Sequence, residues 1–408
     1  MSEFSVNESG SITSVPGFRA AGVTAGFKRS GAPDFALVFS EKPADFAGVF
    51  TSCTFAAAPV LLCRERVLKS AKLRAVMFNS GIANACTGAT GLENSRKSCN
   101  LAAKALGIAP EEVAVCSTGR IGVQLPMDLI ARGLELAVPA LSTDGGPGAA
   151  RAIMTTDTVP KSASVEVVIN GKTVHIGAMT KGAGMIDPNL KAPHATMLCL
   201  IATDAAAEKS LLQEMLNANA EDSFNCITVD GDMSTNDTVM VMANGASGVM
   251  LKAGTSEAET FRKALLAVMQ NLAKRMVVDG EGATKFVTVN VIHARSKRDA
   301  KLAAEAVGNS LLCKTAWFGN DPNWGRVVAA LGYSGALLDP DKCDVYFDDT
   351  AVVRNGGDAG VPESELVPIV SKKEFVITCD LRDGDASHRV WTSDISHEYV
   401  NINADYHT

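Results

Sequence analysis

Residues 163–180 leave little freedom to the chain around them. Two runs rich in β-branched residues flank Asn170-Gly171. Asn-Gly is the pair a two-residue type I′ turn requires, because both central residues take positive φ. The segment predicts an antiparallel hairpin, and a chain that contains one must bury a sheet against something.

The remaining patterning says what that is. Ala36–Ser40, Arg74–Asn79, Glu112–Cys116 and Leu198–Ala202 read as short core strands. Residues 91–106 read as a helix with Gly107 as its C-cap, and 205–220 and 257–278 carry helical periodicity. Ser142–Gly148 reads as a loop. Strands return with Val287–Ile292, Asp344–Phe347 and Glu374–Thr378. The expectation is a mixed α+β protein with a domain boundary near residue 285.

Composition removes several classes of function. With 47% apolar and 20% charged residues over 408 positions, a disordered chain is excluded and two or three domains are expected. The net charge of −7 and the lack of a Lys/Arg block argue against a nucleic-acid partner. The longest apolar run, Phe55–Cys63, is too short to span a bilayer. The N-terminal stretch is polar and acidic, without the apolar core of an export signal, so a cytoplasmic protein is expected. Ten cysteines form no C-x-x-C pair and sit beside no histidine at zinc-ligand spacing, so they read as reduced, mostly buried thiols. No metal is expected.

Eight short segments concentrate glycine and small polar residues. They are Asn79–Ala85, Cys116–Gly119, Met154–Thr158, Lys181–Asn189, Ala195–Leu198, Asp230–Thr238, Asp279–Lys285 and Gly319–Arg326. One such segment is ordinary turn chemistry. Eight in one chain point to a site assembled from distant parts of the sequence.

In order and wording these segments, with the C-terminal Tyr399–Thr408, resemble the ornithine acetyltransferase (glutamate N-acetyltransferase) family of arginine biosynthesis. The resemblance runs from about residue 17 to the end. It implies a layered αββα-like fold of the ornithine acetyltransferase and aminopeptidase type, with a smaller C-terminal α/β domain. Residues 1–195 would form the N-terminal fragment, 196–285 would complete the catalytic domain, and 286–408 would supply a substrate-binding tail. It also implies self-cleavage between Ala195 and Thr196, with Thr196 as nucleophile and Thr118 and Gly119 as the oxyanion hole. Substrate binding carries over to Thr155, Lys181, Thr196, Glu281, Asn403 and Thr408, with Thr156 open in place of Thr155.

The implied chemistry is coherent. A threonine hydroxyl needs a base within hydrogen-bond reach. A free α-amine titrates near 7.7–8.0, so cleavage creates that base on the nucleophile's own residue. By resemblance the substrates are N-acetyl-ornithine and glutamate, and the assembly is an α2β2 heterotetramer. No cofactor is implied, although some relatives take acetyl-CoA as a co-substrate. A related self-cleaving aminopeptidase and an uncleaved, inactive paralogue stand as alternatives. One departure lies beside the scissile bond: Lys191–His194 insert four residues ahead of Ala195.

Overall fold

The structure, a computed structural model, describes residues 4–69, 72–188 and 197–405. Ala195, Thr196, Thr408 and the Lys191–His194 insertion lie outside the described residues. The chain forms two compact units. The first takes residues up to Asn225 together with Met233–Met276, and the second takes Cys226–Asp232 and most of the chain from Val277 on.

The first unit holds strands β1 (Phe18–Val23), β2 (Phe35–Phe50), β3 (Leu73–Ile82), β4 (Val113–Arg120), β5 (Lys161–Ile169), β6 (Lys172–Lys181), β7 (Leu198–Thr203) and β8 (Thr238–Ala243). Helices α1 (Ala58–Lys69), α2 (Gly88–Leu106), α3 (Met127–Ala140), α4 (Gly146–Ala152), α5 (Lys209–Glu221) and most of α6 (Ser256–Val278) accompany them. The strands pair in the order β4-β3-β2-β8-β7-β6-β5, with β1 also on β2.

The long strand β2 joins two half-sheets. Phe35–Phe39 pair with β3, Asp45–Phe50 pair with β8, and the register shifts between them, where Pro43 cannot donate to a ladder. Alternate residues then face two different cores. Ala36, Val38, Val76, Phe78, Ala114 and Cys116 meet Leu198, Leu200, Met240 and Met242 from the other half-sheet. Their neighbours Phe35, Leu37, Ala75, Met77, Val113 and Val115 meet α2 and α3. Strands buried on both faces need apolar residues at every position, which is why these runs do not alternate. Helices α5 and α6 border the second half-sheet: Gln213 bonds the backbone of Gly48, and Arg275 donates to Ser162 O at 2.6 Å. The result is the layered αββα arrangement that the family resemblance implied.

The hairpin forms as read: Ile169 pairs with Lys172, and Asn170 and Gly171 take φ of 52° and 73°. Gly107 caps α2 in the left-handed conformation. Two readings need correction. The 142–148 loop is already helical from Gly146, and the 205–220 helix starts only at Lys209, because Ala206-Ala207 pair with Met250-Leu251.

The second unit contains β9 (Phe286–Ala294), β10 (Asp344–Phe347), β11 (Thr350–Arg354), β12 (Glu374–Asp380) and β13 (Ala386–Ser393). They pair in the order β11-β10-β12-β9-β13, and the short strand Ile227-Thr228 adds to β13. Helices α7 (Lys297–Asn309), α8 (Leu311–Phe318), α9 (Trp324–Tyr333), α10 (Glu363–Val370) and α11 (His397–Asp405) complete it. Trp317 packs edge-on against Phe375 and is 2% exposed.

Of the ten cysteines, eight are buried, Cys53 is half-buried and Cys86 is exposed; all are free thiols. No helix among the described residues is long and apolar enough to cross a membrane. Truncating Trp317 to alanine should cost about 3–5 kcal/mol, since both transfer energy and packing against Phe375 are lost. Denaturant unfolding of the purified variant checks this.

Candidate functional site

In the first unit the site is built at the end of β4. Gly119 has φ +124°, and a Cβ there would lie 2.3 Å from the backbone of Gly81 on β3. Only glycine permits that approach. It brings the two strand ends together in register, with Ser80 beside Thr118 and Gly81 beside Gly119.

A buried polar frame fixes these ends. Ser117 Oγ donates to Asn79 Oδ1 at 2.6 Å, and Asn79 Nδ2 donates to Ile82 O at 2.8 Å. Asn236 Nδ2 donates to Ala83 O and Ser117 O at 2.5 and 2.8 Å. The Asn79–Ala85 segment and much of the Asp230–Thr238 segment therefore hold the chemistry in place. Asn236 shows how: its one amide group ties together the backbones that follow β3 and run within β4.

Lys181, the last residue of β6, reaches into this corner and is 9% exposed. Its Nζ donates to Thr155 Oγ1 at 2.8 Å and to Thr118 Oγ1 at 3.2 Å. An ammonium has only donors, so each threonine oxygen is the acceptor. Each hydroxyl proton is then left to be given to a third group. Two hydroxyl donors beside a cation suit an anionic or developing-anionic oxygen. Of the two neighbouring threonines, Thr155 is the one whose hydroxyl bonds Lys181.

Asp157 lies behind the pair. Its Oδ2 accepts from Thr155 N at 3.0 Å, and its Oδ1 accepts from Gly182 N at 2.8 Å and Lys161 Nζ at 2.6 Å. Burial alone would raise its pKa. The charges of Lys181 and Lys161, the Lys161 hydrogen bond and the Gly182 N–H more than offset this and hold it at about 2.

Asp237, just before β8, is the opposite case. It is 2% exposed and its Oδ2 has no hydrogen-bond partner. Burial pushes its pKa well up, against the opposing pull of Ser234, Lys181 and Thr51, so the neutral acid is favoured. Neither Asp157 nor Asp237 had been singled out from sequence, although both lie in segments that had. For Asp157 the signal was an aspartate inside the otherwise apolar and hydroxylic run Met154–Thr158, whereas Asp237 follows Asn236 in a segment that already holds Asp230 and Asp232.

Strand register sets what stands next to Lys181. Lys181 pairs with Leu198 on β7, and Thr238 N donates to Met197 O at 2.5 Å. The strand that begins two residues after Thr196 thus runs between Lys181 and the Asp237–Thr238 strand end.

In the second unit, Glu281 and Asn403 meet. Asn403 Nδ2 donates to Glu281 Oε2 at 2.8 Å and to Tyr399 O at 3.0 Å. The Glu281 loop is anchored on Asp394, which accepts from Thr284 N, Thr284 Oγ1 and Lys285 N at 2.8, 2.5 and 3.0 Å. Gly282 has φ +67°, and a Cβ there would come within 2.5 Å of Tyr399 N, so α11 lies directly on this loop. Tyr399 Oη donates to Asp230 Oδ2 at 3.4 Å, and burial together with the acidic groups around it raises its pKa. Among the described residues no group of three His, Cys, Asp or Glu side chains is placed to hold a metal ion.

The sequence is similar to known proteins over nearly its whole length. The model of the ArgJ family matches residues 19–408. A protein named arginine biosynthesis bifunctional protein ArgJ, from Symbiobacterium thermophilum, is 48% identical over 402 residues, covering 98% of this chain and 99% of that protein. One of the same name from Geobacter sulfurreducens is 49% identical over 396 residues, covering 97% and 100%. Among solved structures, ornithine acetyltransferase complexed with ornithine, from Mycobacterium tuberculosis, is 45% identical with a TM-score of 0.43, covering 46% of this chain and 99% of that one.

Two outcomes follow from the geometry. Gly119→Ala should lower stability by about 1–3 kcal/mol, from positive φ and the Gly81 approach, and displace the strand end; thermal unfolding measures it. Asp157 has a depressed pKa, so its stabilisation is present above the unfolded value of about 3.9 and is lost as pH falls toward about 2. Acid unfolding of the parent should be steeper over that window than that of Asp157→Asn combined with Lys161→Met, which removes the titration.

Proposed function

The chain belongs to the ArgJ family, and from that membership and the corner around Lys181 we propose that it moves an acetyl group from N2-acetyl-ornithine to glutamate in arginine biosynthesis. The observation that carries the site assignment is the Lys181 ammonium seated between the Thr118 and Thr155 hydroxyls, beside the strand that starts just after Thr196.

On this reading the chain cuts itself between Ala195 and Thr196. The freed Thr196 amine takes the proton of its own hydroxyl, and the oxygen attacks the acetyl carbonyl. The oxyanion accepts hydrogen bonds from Thr118 and Gly119. Collapse of the intermediate breaks the C–N bond. Ornithine leaves with the proton from the Thr196 amine, and an acetyl ester remains on Thr196. The amine of glutamate then attacks that ester and gives a proton to the Thr196 amine; the second collapse breaks the ester C–O bond and passes that proton to Thr196 Oγ. Lys181 and Thr155 hold a substrate carboxylate, and the family resemblance adds Glu281 and Asn403 to the residues that bind substrate.

The relatives are named bifunctional, which supports a second donor, acetyl-CoA, at the same nucleophile. A cytoplasmic α2β2 assembly completes the proposal. The Lys191–His194 insertion lengthens the segment ahead of the cut, a change that costs little in loop entropy.

Denaturing electrophoresis and intact mass test the central step. Two chains of 195 and 213 residues are expected, the second beginning at Thr196. A single full-length chain that still transfers acetate would overturn the nucleophile assignment. Thr196→Ala should lose both cleavage and transfer, while Thr196→Ser should keep part of each; gel and coupled amine assay read the two.

A further inference from the structure

Asp157 belongs to a segment of which only Thr155 has so far been given a role. Its side chain and that of Lys161 are both closed to solvent. One carboxylate grips two separate stretches of backbone: Thr155 through its N–H, and Gly182, the residue after Lys181, through its N–H. The side chains those stretches carry, Thr155 and Lys181, meet at 2.8 Å.

We propose that Asp157 is a positioning residue that sets the spacing of Thr155 and Lys181, with Lys161 as the buried counter-charge that keeps it ionised. The proposal rests on reading Thr155 and Lys181 as the groups that hold a substrate carboxylate.

Three physical points carry it. A carboxylate can accept from two amides and an ammonium at once, whereas the amide of asparagine has a single acceptor oxygen. The three bonds use both oxygens, so a shift of the carboxylate moves both backbone stretches together. And a buried ion pair adds little net stability over apolar residues of the same volume. Stability therefore does not explain why this pair sits directly behind the hydroxyls rather than elsewhere in the core.

The two residues act on binding geometry rather than on the reacting atoms. Since the grip on a carboxylate is the same in the ground and transition states, loosening it should raise KM and leave kcat nearly unchanged.

Two variants of the full chain test this, with rates expressed per processed chain. Asp157→Glu keeps both charges and displaces the carboxylate by one methylene. Asp157→Asn with Lys161→Met removes both charges and spares the core an unpaired cation. In steady-state transfer from N-acetyl-ornithine to glutamate, each should raise KM by about 10-fold or more, with kcat within about 3-fold of the parent. A purely structural role would lower the active fraction and leave KM unmoved. Unchanged KM for both substrates in either folded variant overturns the proposal. Failure of both variants to fold assigns Asp157 to stability alone and overturns it equally. If the parent itself transfers no acetyl group, the functional reading fails and the positioning role falls with it; an active parent with unaltered variants sinks only the positioning role.

Discussion

One ionised carboxylate deep in the first unit organises the corner where the family's chemistry is expected. Asp157 remains charged because two ammonium groups and two backbone amides surround it. Burial works against that charge, so the arrangement holds only while every donor is in place. Lys181 depends on it through Gly182, and Thr155 through its own N–H. The other hydroxyl that Lys181 touches, that of Thr118, depends in turn on β4, whose end is fixed by the approach of Gly119 to Gly81. Charge, backbone and glycine sterics thus converge on one corner from four distant stretches of chain.

Much of the architecture could be read from local pattern. The Asn170-Gly171 hairpin and the Gly107 cap are set by residues within a few positions of one another, so their signals survive without tertiary knowledge. The start of α5 was misread because Ala206-Ala207 pair with Met250-Leu251, a partner more than forty positions away that periodicity does not reveal. Site residues divide on the same line. Motif wording pointed to Thr118, Lys181, Glu281 and Asn403, but it could not choose between Thr155 and Thr156. The Lys181 side chain, in space, bonds the Thr155 hydroxyl, a contact that no local pattern reveals. Asp157 and Asp237 were invisible as a contrasting pair, because whether a buried aspartate is charged depends on what surrounds it in space.

The segments rich in glycine and small polar residues mix two kinds of work. Asn79, Asn84 and Asn236 are all buried, and their amides close backbone gaps: Asn84 Nδ2 donates to Gly91 O and Ser95 Oγ, as Asn236 does to Ala83 and Ser117. Short amides suit this because each offers both donors and an acceptor, and carbonyls left over at strand ends need partners. In the Gly319–Arg326 segment, Asn323 caps α9 while Lys285 Nζ bonds Asn320 and Val370 O. Residues of catalytic appearance are in these places fasteners.

The detour of Cys226–Asp232 into the second unit has a consequence for biosynthesis. Ile227-Thr228 finish the edge of a sheet whose partner strand, β13, is made roughly 160 residues later, a separation that slows closure. Until β13 is made, both this short strand and the edge of β9 lack the partner that β13 supplies. Assembly of the second unit therefore waits on β13, which joins two stretches of chain made long before it.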